Sequence, residues 1–408
     1  MMIYFMRLVY KNIFTTLTAL LFLLAACSSD KGKVTTGDGK QIDFDTVKLL
    51  KYDPKKEDKK IDDFMQKLHR TRNFNGNVLV AKKGKIIYQK SFGWANYMIR
   101  DSLELSSKFE LASVTKTMTG TAILMLMEEG KLKLDQDVRD FYPDFPYEGV
   151  TIKLLLTHRS GMMNYVYFVD DLYRAQHLNQ KKGLSNKDAM DLIAKNKPNP
   201  FNKPDKRFLY NNSNYMVLAA IIEKITGKTY ADYMKETIFI PAGMSHTAVY
   251  SKAVYDKIPV DVVGHDRGQW RYSVAQNFLD GPVGDKGIYS TVADLFLFDR
   301  ALRAGMFLRK ETQDSAYTAH NPLLRGHFSY GYGWRIFDAP GQKVVYHTGW
   351  WHGFRHIYLR DLKNDVTIVL LSNLANGSLL QLDDLFKITG MPVVRKNAYN
   401  GAGDTAED

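Results

Sequence analysis

Glu110-Leu111-Ala112-Ser113-Val114-Thr115-Lys116-Thr117-Met118 is the stretch that decides how this chain folds. Behind it, Met118, Ala122, Ile123, Met125, Leu126 and Met127 recur at one, three and four residues, the spacing of a buried helix. Gly130, after Glu128-Glu129, supplies a C-cap. Ser113 therefore stands at the start of that helix, with Lys116 one turn on and on the same face. A helix N-terminus offers unpaired N–H groups and positive partial charge, which favour an alkoxide or oxyanion. A lysine three residues on takes the serine proton when neutral and steadies the anion when charged. Ser-x-x-Lys by itself does not establish this chemistry. Ser28-Ser29-Asp30-Lys31 has the same spacing in a polar tail, and a capping serine beside a surface lysine is the plainer account of Ser113 and Lys116.

Composition narrows the setting. The 408 residues are 45% hydrophobic, 12% aromatic and 25% charged, a globular balance that is neither disordered nor polytopic. Near the N-terminus, Arg7 and Lys11 precede the apolar run Ile13 to Ala26, too short and wrongly flanked for a stable span, which reads as an export signal. The run closes on Leu24-Ala25-Ala26-Cys27-Ser28, which resembles a bacterial lipobox and implies cleavage before Cys27 and a lipid on its thiol. Cys27 is the only cysteine, so no disulfide forms within the chain; a buried free thiol is the alternative reading. The expectation is a membrane-anchored envelope protein outside the cytoplasm. Removing the signal takes the net charge from +12 to 12 − 2 = +10, which suits an anionic surface or anionic substrates. No helix-turn-helix, zinc-finger or RNA-binding motif is present, and nucleic acid is excluded as a partner.

Taken in order, residues 28 to 60 are polar and read as a tether. Ile61 to His69 patterns as an amphipathic helix, and Asn77 to Ala81 with Ile86 to Phe92 as a β-hairpin turning at Lys83-Gly84. Val150 to Gly161 reads as a short helix with Thr151 as N-cap and Gly161 as stop. Met162 to Arg207, rich in aromatics, is either a lid or ordinary helical packing, with a helix near Asp188 to Lys195. Helices are expected over Met216 to Ile225, Tyr230 to Ile238 and Thr291 to Leu302. Strands are expected over Tyr330 to Phe337, Val344 to His347, Phe354 to Leu359 and Val366 to Leu371, then a last helix over Leu379 to Ile388. Strands at both ends with helices between predict an antiparallel sheet made from both termini.

Three elements in order raise the standing of Ser113: Ser113-x-x-Lys116, then Tyr210-Asn211-Asn212, then His347-Thr348-Gly349 on a predicted strand. Around them lie Leu154-Leu155-Leu156-Thr157-His158-Arg159-Ser160-Gly161-Met162, Ile238-Phe239-Ile240-Pro241-Ala242-Gly243-Met244 and Gly287-Ile288-Tyr289-Ser290-Thr291-Val292-Ala293-Asp294-Leu295. The set resembles the serine β-lactamase and penicillin-binding-protein superfamily, in its class C β-lactamase, DD-peptidase and esterase branch, over roughly Asn75 to Asn373. There is no Gly-x-Ser-x-Gly and no His-Glu-x-x-His.

The resemblance implies an α+β, β-lactamase/transpeptidase-like fold, an antiparallel sheet from both chain ends flanked by helices with a helical subdomain between. The expected division is a signal over 1–26, a lipidated Cys27 and tether over 27–60, and a serine hydrolase domain over 61–390. A helical insertion occupies about 125–290 of that domain, and a flexible tail follows over 391–408. It implies Ser113 as the acylated nucleophile, Lys116 as its proton partner and Tyr210 as general base and acid, its deprotonation eased by cationic neighbours. Asn212 would hold the substrate amide or position Lys116. His347, Thr348 and Gly349 would form the edge on which substrate lies, with Thr348 open to a carboxylate. The backbone N–H groups of Ser113 and Trp350 would make the oxyanion hole. No cofactor or metal is implied. The substrate class is a peptidoglycan-stem peptide, an ester or a β-lactam.

Several side chains carry a second reading. Tyr210 also fits an ordinary aromatic at a helix entrance, and His158 a helix-end residue bonded to backbone. His352 and His356, four apart with no carboxylate nearby in sequence, are read as structural rather than metal ligands. Arg355 is either a carboxylate partner or a solvated strand residue. Where class C β-lactamases have Lys-Thr-Gly this chain has His347-Thr348-Gly349, so a permanent cation for a β-lactam carboxylate is missing at that position. The Trp350-Trp351 pair favours acyl or aryl esters or large peptides. A class C-type β-lactamase and a non-catalytic peptidoglycan-binding module are the competing functions.

Overall fold

The structure, a computed structural model, describes residues 58–179, 183–251, 262–266, 272–321 and 327–392, together with the backbone of two short paired strands, β1 (Lys33–Thr35) and β2 (Gln41–Asp43). The export signal, Cys27, most of the tether and the tail beyond 392 lie outside the described residues.

Helix α1 (Lys59–Arg72) starts where the Asp58 carboxylate accepts the N–H groups of Lys60 and Ile61, and stops at Asn73 in the left-handed region. The hairpin β3 (Gly76–Lys82) and β4 (Lys85–Phe92) follows, then a small ribbon, β5 (Trp94–Asn96) and β6 (Asp101–Ser102). Strand β7 (Phe109–Glu110) leads into helix α2 (Thr115–Glu128). Next come α3 (Ile152–Leu156), α4 (Tyr165–Ala175), α5 (Asn186–Asn196), α6 (Asn212–Thr226) and α7 (Tyr230–Met234), the last continuing as one π turn over Lys235–Phe239. After β8 (Ala248–Val249), β9 (Ile288–Ser290), α8 (Val292–Arg303) and α9 (Lys310–Ala316), the chain makes its C-terminal strands. These are β10 (Phe328–Tyr330), β11 (Arg335–Ala339), β12 (Gln342–Trp351), β13 (Phe354–Asp361) and β14 (Val366–Ser372), and α10 (Asp383–Thr389) closes the fold.

The main sheet has seven strands in the order β10-β11-β12-β13-β14-β3-β4, every neighbouring pair antiparallel. The N-terminal hairpin thus adds to the edge of the C-terminal strands, the α+β sheet from both chain ends that the pattern predicted. Both faces are covered. Along β14, Val366, Ile368 and Leu370 point to a core shared with α1 and α10, while Val369 and Leu371 point to the larger core of α2, α6 and α8. A strand buried on both sides carries a nearly continuous apolar run, and Val366 to Leu371 is one, interrupted only by Thr367. Among the described residues no helix is long and apolar enough to cross a membrane.

Two local expectations are corrected. The run Tyr330 to Phe337 is two strands, not one. Gly331 and Gly333 fold the chain between them because neighbouring backbone comes too close for any side chain: a Cβ on Gly331 would lie 2.1 Å from the Ala316 carbonyl, and one on Gly333 2.7 Å from that of Lys116. The helix after Thr151 ends at Leu156, and the first left-handed residue beyond it is His158 (φ 55°), ahead of Gly161 (φ 70°). Gly161 is required for a second reason besides its left-handed backbone, since a Cβ there would meet the Asn202 carbonyl at 2.3 Å.

One buried charge cluster ties α8 to the sheet. Asp299 and Arg360 are fully buried; Arg360 Nε donates to Asp299 at 2.6 Å, Arg303 Nε at 3.0 Å and Thr367 Oγ1 at 2.9 Å. Burial alone would raise the Asp299 carboxyl, but the charges of Arg360 and Arg303 overcome it and hold the group below its ordinary value. Removing the acid strands Arg360 without its counter-charge. Asp299→Ala is expected to cost about 3–5 kcal/mol of folding stability, read as a lower urea midpoint.

Candidate active site

Strand β7 delivers the chain to a tight entry. Ala112 is left-handed (φ 49°), and Ala112–Val114 form one 3₁₀ turn before α2 begins. Lys116, one turn into the helix, is fully buried. Its Nζ lies 2.9 Å from Ser113 Oγ, 2.8 Å from Asn212 Oδ1 and 2.9 Å from the carbonyl oxygen of Asp285. Burying an ammonium-bearing chain is costly unless it is hydrogen-bonded on all sides, and three oxygens meet that need here. The sequence-predicted Ser113, Lys116 and Asn212 are therefore in direct contact.

Asn212 reaches Lys116 because α6 starts four residues earlier than its apolar pattern suggests. The Asn211 side chain accepts the Ser213 N–H as N-cap and donates to the Met162 carbonyl, pinning the helix entrance to the segment before α4. Tyr210, immediately before, is buried with its ring facing two cations: Lys116 Nζ lies 5.0 Å and Arg335 Cζ 5.1 Å from the ring centroid. His158 packs on the other side at 4.3 Å between centroids. Its Nδ1 accepts the Asn211 N–H and the Asn214 amide, the backbone-bonded role expected for it, and burial holds it neutral, well below the usual histidine range.

Strand β12 brings the third element alongside. His347 is fully buried; its Nδ1 donates to the Thr348 carbonyl at 2.7 Å, so its Nε2 is the acceptor for the Tyr330 hydroxyl at 3.0 Å. Burial first, then the charges of Arg335 and Lys116, push its pKa well below the ordinary value. His347 is a neutral residue at every pH near 7, and the cation of this region is Arg335 on β11. Gly349 lies against the Ser113 turn, where a Cβ would stand 2.5 Å from the Leu111 carbonyl and 3.3 Å from Ala112 Cβ. Trp350 follows, half-exposed, with Arg355 stacked on its indole 3.0 Å from the ring centroid.

Arg335, Tyr330 and Asp285 were not singled out by sequence. Arg335 lies outside every motif, and Asp285 reaches Lys116 through its carbonyl, which any residue type presents. His356 donates from Nε2 to the Glu110 carbonyl at 2.6 Å and accepts the Ser372 N–H, with burial pushing its pKa down to about 4. His352 has a carboxylate near in space after all, Asp280 at 3.3 Å. Among the described residues no group of three or more His, Cys, Asp or Glu side chains is arranged to hold a metal ion.

A serine, a lysine and a tyrosine thus gather around one buried contact beside strand β12. Residues 58–387 match the family model described as Beta-lactamase. The chain belongs to the β-lactamase family. Penicillin-binding protein 4* of Bacillus subtilis (strain 168) is 33% identical over 332 residues, covering 77% of this chain and 71% of that protein. Teichoic acid D-alanine hydrolase of Staphylococcus aureus is 29% identical over 240 residues, 58% of this chain and 55% of that one. Among solved structures, a penicillin-binding protein from Bacillus halodurans superposes with a TM-score of 0.68 at 26% identity, covering 77% of this chain and 96% of that chain. The fold is accordingly that of the penicillin-binding-protein-like enzymes, and the chain is a serine hydrolase of that superfamily.

The close approach of β12 to the Ser113 turn yields a packing prediction. Gly349→Ala is expected to cost about 1–3 kcal/mol through overpacking against Leu111 and Ala112. Gly377→Ala, whose Cβ would meet only Leu380 Cδ1 at 3.8 Å, is expected to change stability by less than about 0.5 kcal/mol. Urea denaturation of the two variants measures the difference.

Proposed function

We propose that this hydrolase cleaves an amide or ester bond by acylating Ser113, and that it does so on a D-alanyl or related substrate of the bacterial cell envelope. The observation that carries the reading is the position of Lys116 Nζ between Ser113 Oγ and Asn212 Oδ1. With Asn212 and the Asp285 carbonyl accepting two N–H groups, the Lys116 ammonium keeps its third N–H for Ser113 Oγ and steadies that oxygen as its proton leaves. Ser113 Oγ attacks the carbonyl carbon as its proton passes to the Tyr210 phenolate oxygen, with Lys116 assisting. The carbonyl π electrons move onto oxygen, held by the N–H groups of Ser113 and Trp350. The bond to the leaving nitrogen or oxygen then breaks, and Tyr210 returns the proton to it. Water repeats the sequence in reverse to free Ser113. Tyr210 suits this part because two cations face its ring and favour the phenolate.

Arg335 and Thr348 are the groups for a substrate carboxylate, in place of the lysine that His347 replaces. Because His347 is neutral, a carboxylate-bearing substrate depends on Arg335 and Thr348, whereas an ester without a carboxylate loses nothing, which favours the esterase reading over a β-lactamase. The names of the relatives, one for penicillin binding and one for hydrolysis of D-alanine on teichoic acid, point to the same envelope substrates. The Leu24-Ala25-Ala26-Cys27 segment supports export and lipid anchoring of the domain through Cys27.

Intact-mass measurement with a penicillin and turnover of a p-nitrophenyl ester test the reading together. Ser113→Ala is expected to abolish both the adduct and the turnover while the circular dichroism spectrum is retained; persistent turnover refutes the assignment. Tyr210→Phe is expected to slow acylation about 10²–10⁴-fold, and a rate near wild type removes Tyr210 from the proton path.

A further inference from the structure

Glu110 lies three residues before Ser113 and has no place in the reaction as described, yet its carboxylate touches both halves of the site. Oε1 accepts the N–H of Ala112 at 3.3 Å and that of Gly287 at 3.0 Å. Ala112 is the left-handed residue that turns the chain into Ser113, and a positive φ at an alanine persists only where neighbouring bonds hold it. Gly287 lies two residues after Asp285, whose carbonyl oxygen receives Lys116 Nζ. One carboxylate oxygen therefore joins the turn that presents the nucleophile to the loop that anchors its lysine. The side chain is only 3% exposed, and Oε2 accepts no hydrogen bond from the described residues.

A buried acid placed like this costs stability when ionised, so its retention asks for a use. The charged and titratable groups that face it come from three elements. Asp280 stands on the turn before β9, Lys286 on the same loop, and His352 at the β12–β13 turn. From β13, His356 donates to the Glu110 carbonyl. We propose that Glu110 is a positioning residue for acylation, whose anionic carboxylate holds the Ser113 turn and the Lys116 anchor in one register. This rests on the Ser113–Lys116 reading above. A hydrogen bond from N–H to a carboxylate is about twice as strong as one to a neutral acceptor, so protonation loosens both links at once.

Burial raises the Glu110 carboxyl from its ordinary 4.5 to about 7, against the pull of the Gly287 N–H. The native state thus holds a proton that the unfolded chain has released between those values. Stability falls as pH rises through that window, while the competent anion accumulates toward and above pH 7. Positioning and stability pull in opposite directions, and this separates the proposal from a merely structural role.

The test compares wild type, Glu110→Gln and Ser113→Ala in p-nitrophenyl ester hydrolysis between about pH 5 and 9, with thermal melts near pH 8. Glu110→Gln keeps both acceptor contacts but not the charge. It is expected to lower kcat about tenfold with KM within about twofold, to lose the acidic limb near pH 7, and to melt at or above the wild-type temperature. Glu110→Ala, which loses both links, is expected to fall about 10²-fold in kcat. A wild-type acidic limb in Glu110→Gln overturns the proposal, as does a kcat loss that tracks a fall in melting temperature. An inactive Ser113→Ala beside an unaffected Glu110→Gln sinks only this inference. An active Ser113→Ala sinks the reading beneath it.

Discussion

The site is organised by one buried amine. Lys116 cannot lie in the interior without oxygen partners, and the three it finds come from three parts of the chain: its own helix entry, the start of α6, and the loop before β9. Each must be in place for the lysine to be tolerated there at all. The helix entry is set by β7 pairing with β9, the α6 start by the Asn211 cap, and the loop by the close packing of Gly284 against Tyr215 and Ala219. Solvating one cation thus converges with aligning a nucleophile.

The electrostatics of the pocket follow from which groups keep their charge on burial. His158 and His347 are both pushed to neutrality and act as dipoles, each with a ring nitrogen committed to the backbone. Lys116 and Arg335 bracket the Tyr210 ring. Between them the pocket presents positive potential without a permanent cation on β12.

Much of this was legible from residues alone. Helices α1, α2, α5 and α8 and strands β3, β13 and β14 carry their pattern openly, because each buries a stripe or most of a strand, and β4 pairs with β3 across a short turn. The spacing of Ser113 and Lys116 fixes their contact, since three residues in a helix is one turn. What stayed hidden was set by tertiary approach. The break between β10 and β11 is imposed by the Ala316 and Lys116 carbonyls, the end of α3 by a left-handed His158, and the start of α6 by a cap whose bond partner, Met162, lies far away in sequence. Arg335 was invisible for the same cause: a lone arginine on a strand has meaning only once the facing ring is known.

The two cores lie on opposite sides of the sheet, and this settles how the molecule is hung. Helices α1 and α10, where the described domain is entered and left, share the core on the face away from the Ser113 turn. Leu111, Val114 and Met118 belong to the other. Anything joined to either end, whether a lipid, a longer polypeptide or a solid support, therefore pulls on the rear of the domain.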